Sequence, residues 1–475
     1  MSRASVLAAG CLALLGGRVA ANADSLDFGQ RVEKALAAES EDLFGVQKPL
    51  AFSSTASVTQ EEALTDPLVL IKLAPGLTAK VVTAGVAAPN LDMMALWPDD
   101  TQPTWLIACN EQETEDPGLQ RIEIATGIAQ TIVTGTSDCD GVRRTPWGTI
   151  LFSEEAGGGP EGGRVYELQD PLNTTGVTLD RATGTFSGGI GAENFAVRPA
   201  LGRNSFEGLA VFDNGLVYYG DENRPFQGTP GGPYFKFVPS EPTSIGVVGA
   251  LEDSPLVSGS IYGLRVGLRS GATDYGQGTQ YGFGTWVPIC SGDACNDIDL
   301  RAQAAALSLT GYYRPEDIDI DGAAQATGFV RFCSNNTGNE GDDQLWGETI
   351  CITDGTQAQA LTNSAVPEVQ LFWPGSPAYA MPDNIAYEPG RGNWVIHEDA
   401  DTGYLTPHND DLWDCLPDGK DANLLSDGCI RIATLNDLTA EWTGGIFNHT
   451  GNRFFVSVQH NISGFGTIFE INGWK

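Results

Sequence analysis

Short β-type runs, each bounded by glycine, proline, asparagine or aspartate, follow one another along most of this 475-residue chain. One of them reads FDNGLVYY, and an Asn-Gly pair between two β-type runs is typical of a tight hairpin. Helical periodicity is scarce and predicts helices only at residues 27–44 and near residues 300–309. The sequence therefore predicts an all-β fold with a helical segment at its N-terminal end.

Five hairpins share a looser pattern, in which a polar or acidic residue opens the first strand and another polar residue ends the second. Their spacing of some tens of residues is about that of propeller blades with loop insertions of differing length. The opening residues are Cys139, Glu207, Glu316, Asp383 and Glu441. The pattern predicts a β-propeller, whose innermost strands would carry these side chains to one end of a central channel.

Like charges that meet in a confined channel repel one another unless cations lie between them. Hard cations such as Ca²⁺ coordinate clustered carboxylates, so the pattern predicts a metal site in the channel. The alternative is that the recurring acids are ordinary turn residues in solvent, because turns favour Asp near Gly and Pro.

The N-terminal residues have the features of a secretory signal, with an early Arg3, an apolar run and the small-residue site Ala21-Asn22-Ala23. We expect a signal peptide at 1–23, a helical and extended segment at 24–66, and a single propeller domain at 67–475. No later stretch is long and apolar enough to span a bilayer. The mature chain is therefore expected to be secreted or periplasmic.

Eight cysteines remain after the predicted signal, which contains Cys11. In an oxidising compartment, pairs that are close in sequence predict disulfides. These pairs are Cys290 with Cys295, Cys333 with Cys351, and Cys415 with Cys429. Cys109 and Cys139 leave two possibilities open: a fourth disulfide, or a Cys139 thiolate that binds metal beside a buried Cys109 thiol.

The formal net charge of −35 argues against a nucleic-acid partner, because a phosphate backbone is attracted by clustered Lys and Arg and repelled by surplus carboxylates. Metal cations are the partners that such a charge favours. Most of the 61 acidic residues are nevertheless expected to serve solubility alone. We expect a monomer with no membrane partner.

Several motifs occur together in a fixed order from about residue 110 to the end: C…TPWGT…EE, GRNSFEG, RPED, PDN and EWTGGIFN…VSVQH. In this combination the chain resembles the PhoX-type alkaline phosphatases. The resemblance implies a secreted six-bladed β-propeller with a central iron and calcium cluster. It also implies an enzyme that hydrolyses phosphate monoesters and releases inorganic phosphate.

The resemblance also implies roles for individual residues. Cys139, Glu207 and Glu316 would bind Fe³⁺, and Arg314 would face the substrate phosphate. The calcium ligands would be Glu154, Glu155, Asp383, Asn384 and Glu441. The chemistry of the residue types agrees, since thiolate suits iron, carboxylate and amide oxygens suit Ca²⁺, and a planar guanidinium can hold a phosphoryl group by two hydrogen bonds.

Two other functions suit the same channel. One is a calcium-dependent propeller lactonase or esterase, because PDNIAYEPGRGNWV would also fit that class. The other is a non-catalytic propeller whose calcium is structural, since a fold alone fixes no function. Cys139 together with Arg314 favours the phosphatase, because neither alternative needs a thiolate or a phosphate-binding arginine.

Overall fold

The structure is a computed structural model that describes residues 27–225, 231–243, 246–267, 281–338, 346–399, 408–419 and 423–475. The predicted signal peptide at 1–23 lies outside the described residues. Among the residues that are described, no helix has the length and apolar character needed to cross a bilayer. The chain is all-β with a few short helices, as the sequence predicts.

The helices are short, and most of them carry local caps. They are α1 Gln30–Leu36, α2 Ser40–Phe44, α3 Gln60–Thr65, α4 Leu300–Leu307, α5 Gly322–Ala326 and α6 Gln357–Leu361. The helix predicted at 27–44 is thus two helices, and the second ends at Gly45 in the left-handed conformation. The second predicted helix is α4, capped by Asp299. Capping boxes begin α3 and α6, two helices that periodicity did not predict because each is little more than one turn.

The strands are mostly four to nine residues long. The first fourteen are β1 Ile71–Leu73, β2 Thr78–Ala87, β3 Leu91–Trp97, β4 Trp105–Asn110, β5 Pro117–Glu123, β6 Ala129–Thr134, β7 Cys139–Arg144, β8 Ile150–Glu154, β9 Val165–Leu168, β10 Val177–Asp180, β11 Thr185–Ser187, β12 Phe195–Val197, β13 Leu209–Val211 and β14 Val217–Gly220. The others are β15 Tyr234–Pro239, β16 Gly259–Val266, β17 Gly282–Ser291, β18 Pro315–Ile320, β19 Phe329–Asn336, β20 Glu348–Thr356, β21 Glu368–Pro374, β22 Pro382–Tyr387, β23 Trp394–Glu398, β24 Asp411–Cys415, β25 Cys429–Leu435, β26 Glu441–Phe447, β27 Arg453–Gln459 and β28 Gly466–Asn472.

The strands form five sheets, in which strands that follow one another in the chain mostly pair antiparallel. The strand orders are β1-β25-β24-β23-β22, β11-β10-β6-β5-β4-β3, β12-β9-β8-β7, β13-β14-β15-β16-β17-β21-β20-β19-β18 and β2-β28-β27-β26. The last sheet joins the two ends of the domain, because β2 pairs with β28 from Thr78 opposite Asn472 onward. This pairing closes the sheets into a propeller-like ring.

Six strands lie at the inner edges of these sheets: β3, β7, β13, β18, β22 and β26. They contact one another in that order, and β26 contacts β3 again, so that they surround a central channel. The apolar core lies between neighbouring sheets, where five tryptophans are fully buried: Trp147, Trp373, Trp394, Trp413 and Trp442. The channel itself is thereby left to polar residues at the strand ends.

The three disulfides that the spacing predicts are confirmed. Cys333–Cys351 joins β19 to β20, and Cys415–Cys429 joins β24 to β25. Cys290–Cys295 ties the end of β17 to the short turn that follows it. All three therefore stabilise local hairpins or turns rather than the ring as a whole.

Candidate metal centre

One local design places acidic side chains at the channel end of four inner strands. The second residue of the strand is acidic: Asp92 in β3, Asp140 in β7, Glu316 in β18 and Asp383 in β22. At each of these acids the pairing with the next strand shifts register. Such bulges re-aim a side chain, and here they occur at the channel.

The residue two positions before each of these acids has a left-handed backbone, although none of the four is glycine. The residues are Asn90, Asp138, Arg314 and Met381, with φ between 47° and 60°. Non-glycine residues enter this region at a cost and are concentrated at functional sites. The inner strands of four blades thus begin with the same backbone bend, and Arg314 is the member that carries a guanidinium.

Two further inner strands contribute acids without this bend. Glu207 precedes β13 by two residues, and Glu441 is the first residue of β26. The inner strands come very close here, since a Cβ on Gly141 would lie 1.9 Å from the Glu207 carbonyl oxygen. Glycine at that position lets β7 and β13 approach each other beside the acids.

A second set of acids follows the second strand of a hairpin. Glu111 comes directly after β4, Glu155 after β8 and Asp399 after β23, and Glu222 lies two residues beyond β14. Because the second strand runs antiparallel to the first, its end returns to the place where the first strand begins. The two sets therefore meet at one end of the channel.

Nine carboxylates form one continuous cluster there. Their oxygens fall into four groups of three, within each of which the oxygens lie within 4.8 Å of one another. The groups are Asp92–Glu111–Asp140, Asp140–Glu155–Glu207, Glu207–Glu316–Asp383 and Asp383–Asp399–Glu441. Asp140, Glu207 and Asp383 each belong to two groups. Most of the nine line a cavity of about 200 Å³.

Burial makes the charged forms of these acids costly. It raises the pKa of Glu111 and Glu316 to about 7. It raises six other pKa values well above the ordinary range, and neighbouring carboxylates add to several of them: Asp92, Asp140, Glu155, Glu207, Asp383 and Glu441. Without a cation, the cluster would retain several protons at neutral pH.

Asp140 gives the most direct sign that the cluster suits cations. It is fully buried, and neither of its carboxylate oxygens has a hydrogen-bond partner within the described residues. Buried carboxylates are normally hydrogen-bonded, ion-paired or bound to metal. An oxygen-only set of this density fits hard cations such as Ca²⁺.

Arg314 lies against the cluster. Its Nε is 2.5 Å from Glu222 Oε1 and 2.8 Å from Glu316 Oε1, and its Nη1 is 3.5 Å from Asp399. Although burial acts against its charge, Glu316 and Glu222 hold the pKa of Arg314 well above its ordinary value. The guanidinium is therefore a permanent positive charge fixed at the wall of the cavity.

The structure brings five of the predicted metal ligands into the cluster: Glu155, Glu207, Glu316, Asp383 and Glu441. Asn384 is buried beside them, and its side-chain oxygen accepts a hydrogen bond from the Gly444 amide. Arg314, the predicted phosphate ligand, lines the same cavity. The role of each as a ligand stays a prediction.

Glu154 lies outside the cluster, contrary to expectation. Its carboxylate pairs with Arg181 at 2.7 Å and accepts hydrogen bonds from the Tyr166 hydroxyl and the Ser137 amide. Glu154 ends β8, and Glu155 is the next residue, so the two side chains point in opposite directions. Only one of the adjacent glutamates can face the channel.

The prediction that Cys139 is an iron ligand is wrong in this structure. Cys139 forms a disulfide with Cys109, which was the alternative left open by the sequence. A cystine sulfur has no thiolate to offer a metal. The alternation of side chains gives the channel position to Asp140 instead, one residue later in β7.

The sequence reasoning missed Asp92, Glu111, Asp140, Glu222 and Asp399. One signal was available for Asp140, because CDG, PED and PDN each place an acid directly after the residue that opens the strand. No comparable signal marks the acids after the second strands, since Glu111 and Asp399 lie among other polar turn residues.

A separate group of Glu398, His408 and Asp411 also has oxygens and a ring nitrogen close together. Here the charges are already compensated. Arg431 Nε lies 2.5 Å from Asp411, and Glu398 accepts hydrogen bonds from Trp413 Nε1 and two backbone amides. These contacts tie β23, β24 and β25 together.

Comparison with known proteins identifies a family whose model matches this chain. The family model of alkaline phosphatase PhoX matches residues 117–461. No curated protein matches the chain significantly. The structure of Pseudomonas fluorescens PhoX in complex with vanadate, a transition state analogue, superposes with a TM-score of 0.60 at 16% identity, covering 89% of this chain and 98% of that one.

Other solved structures are less similar. A PQQ-bound aldose sugar dehydrogenase from Streptomyces coelicolor has a TM-score of 0.40 at 12% identity, with 84% of this chain and 99% of that chain covered. A streptogramin B lyase has a TM-score of 0.38 at 10% identity, with 83% and 97% covered. The family model, which spans most of the sequence and every inner strand from β7 to β26, is the decisive match, and this chain belongs to the PhoX family of alkaline phosphatases.

Proposed function

We propose that this phosphatase is a secreted enzyme that hydrolyses phosphate monoesters at the acidic end of its channel and releases inorganic phosphate. One observation carries the proposal: nine buried or partly buried carboxylates from several sheets form one cluster, and most of them line a single cavity that also contains Arg314. Such a cluster is costly unless cations bind it, and a cation cluster beside a guanidinium suits a phosphoryl group.

We infer that the ring has six blades. The nine-stranded sheet is continuous only through two pairs between β17 and β21, Gly282 with Val369 and Phe283 with Glu368. Division at this narrow link gives one blade that begins with β13 and another that begins with β18. Together with the other four sheets this makes six inner strands, the number that encircles the channel.

We propose calcium as the principal cation and Fe³⁺ as a further one. The free oxygens of Asp140 and the oxygen-only cluster suit Ca²⁺, and Fe³⁺ would have to be held by carboxylates alone because Cys139 is in a disulfide. Bound cations would neutralise the phosphate and polarise it as Lewis acids. The four disulfides favour an oxidising compartment and hence secretion.

The residues of the chain supply binding and orientation. Glu222 and Glu316 fix Arg314 through its Nε, which leaves terminal N–H groups to donate to phosphoryl oxygens. Because the guanidinium is already in place, its charge stabilises the transition state without further reorganisation. The surrounding acids would hold the cations beside that position.

The two alternative functions have less support. A lactonase or a structural calcium site needs only a few ligands, whereas nine linked carboxylates meet at this end of the channel. Neither alternative explains a guanidinium clamped at the cavity wall by two of its acids.

The proposal is tested by elemental analysis of the purified protein together with assays on an aryl phosphate and on an aryl lactone. We expect several equivalents of calcium, and hydrolysis of the phosphate at alkaline pH but not of the lactone. Metal-free protein with full phosphatase activity, or lactone hydrolysis without phosphate hydrolysis, would contradict the proposal.

A further inference from the structure

A second guanidinium lines the same cavity as Arg314. Arg224 lies four residues beyond the end of β14, in the segment that also carries Glu222. The end of β14 therefore supplies both the acid that holds Arg314 and a further arginine. No motif in the sequence distinguished Arg224 from other surface arginines.

The two arginines differ in how they are held. Arg314 Nε is paired with Glu222 and Glu316. Arg224 Nε is buried and has no hydrogen-bond partner within the described residues, and its charge acts on Glu222 and Asp399 only through space. A buried N–H group without a partner is costly, so a free donor at a cavity wall indicates a ligand with acceptor oxygens.

The charge of the cavity narrows the choice of ligand. Once cations occupy the carboxylate cluster, its oxygens are drawn to the cations, which leaves fewer acceptors for Arg224. A guanidinium matches the geometry of a phosphoryl group, to which it can donate two parallel hydrogen bonds. The cavity of about 200 Å³ has room for such a group between the two arginines and the acids.

We propose that Arg224 is a second phosphate-binding residue, which holds the phosphoryl group of the substrate and the inorganic phosphate product together with Arg314. This inference rests on the proposed function. Since none of the described carboxylates forms a salt bridge with Arg224, we expect it to follow the phosphoryl group in both the bound substrate and the transition state. It therefore contributes to binding more than to turnover.

The test is kinetics of the metal-loaded Arg224→Gln and Arg224→Lys variants. For Arg224→Gln we expect KM and the inhibition constant of inorganic phosphate to rise by about 10- to 100-fold, while kcat falls by less than about threefold. Arg224→Lys keeps the charge but loses the fork, so its inhibition constant should lie between those of the parent and the Gln variant. Metal content should equal that of the parent.

The matched control is Arg144→Gln, which removes the same charge from an arginine paired with Asp100 at 3.7 Å in a different cavity. It should leave KM and phosphate inhibition unchanged. If Arg224→Gln behaves like this control, Arg224 does not bind the phosphoryl group. If Arg224→Lys equals the parent while Arg224→Gln does not, Arg224 acts only through its charge. Either result would overturn the inference.

Calorimetry with inorganic phosphate separates this inference from the proposed function. Should the parent hydrolyse no phosphate ester, weaker phosphate binding by Arg224→Gln would still support a phosphate-binding role. Equal binding by the two proteins, or no binding by either, would overturn it. Circular dichroism verifies that each variant is folded.

Discussion

In two places at the channel, one of two adjacent side chains faces the carboxylate cluster and the other points away from it. Glu155 faces the cavity, while Glu154 turns back to Arg181 and the Tyr166 hydroxyl. In the same way Asp140 faces the cluster, while Cys139 forms the disulfide behind it. Because side chains alternate between the two faces of a β-strand, only one residue of each pair contacts the channel. The other residue of the pair therefore serves as a matched control.

Asp140→Asn should lower the bound calcium and reduce activity by about 100-fold or more, because Asp140 belongs to two carboxylate groups and its oxygens have no hydrogen-bond partner in the described part of the chain. Glu154→Gln removes a charge of the same sign nearby and should leave the number of bound metals unchanged. Elemental analysis and aryl phosphate kinetics measure both effects. Equal metal loss in the two variants would contradict the assignment.

Arg314→Lys should lower turnover by about 10- to 1000-fold, or about 1.4 to 4 kcal/mol of barrier, because it keeps a charge but loses the two-pronged geometry. Bound metal should not change. Arg453→Lys, at a salt bridge with Glu470 and at the start of β27, is the control. If Arg314→Lys retains full activity and phosphate inhibition, the arginine only holds the strand end.

At the scale of the element, the channel site depends on one bend that recurs at the start of four inner strands. A left-handed residue comes first, then the residue that opens the strand, then an acid at a bulge. The bend aims the acid, and in three of the four cases the antiparallel return of the next strand brings a second acid to the same end of the channel: Glu111, Glu155 and Asp399. The bend depends on the backbone conformation and not on a particular side chain, so different residue types can occupy the left-handed position.

This explains which parts of the site could be predicted. The recurring hairpins predict an all-β chain, and acids near strand starts identify Glu207, Glu316, Asp383 and Glu441. Asp140 was missed by one residue, because sequence does not show where the register shifts in β7. Acids after second strands were missed because a solvated turn acid and a channel acid have the same sequence pattern.

The Cys109–Cys139 disulfide joins β4 to β7 directly behind Glu111 and Asp140. Cys109→Ser, Cys139→Ser and the double variant should each lose about 3 to 4 kcal/mol of unfolding free energy, and the three losses should be similar because one bond is removed in each. Denaturant unfolding measures this. If Cys139→Ser lost more metal than Cys109→Ser, the result would instead support Cys139 as a thiolate ligand of the metal.

At the scale of the whole molecule, the ring of sheets brings negative charges together at one place. The net charge of −35 means that the chain has no surplus of positive side chains to neutralise them. Acids from β3, β7, β18, β22 and β26 meet at one end of the channel. Cations bound there would connect strands from different sheets. Metal binding is therefore expected to stabilise the ring as well as to serve the reaction.

The pH dependence of stability should change sign with metal. In the metal-free protein, the raised pKa of about 7 for Glu111 and Glu316 means that the folded state binds more protons than the unfolded state between about pH 4.5 and 7. Stability should therefore fall as pH rises through that window. With calcium bound, the cations compensate the ionised acids, so Tm should rise with pH over the same window. Thermal melts with chelator and with calcium, at equal ionic strength, measure the difference; parallel profiles would contradict it.

The most direct test of the account is a metal titration in which binding and activity are measured on the same sample. Chelator-treated protein should have lost its phosphatase activity while remaining folded, and activity should return in proportion to the calcium and iron that rebind. Asp140→Asn should bind less metal and recover less activity under the same conditions. Full activity in protein shown by elemental analysis to contain no metal would contradict the account.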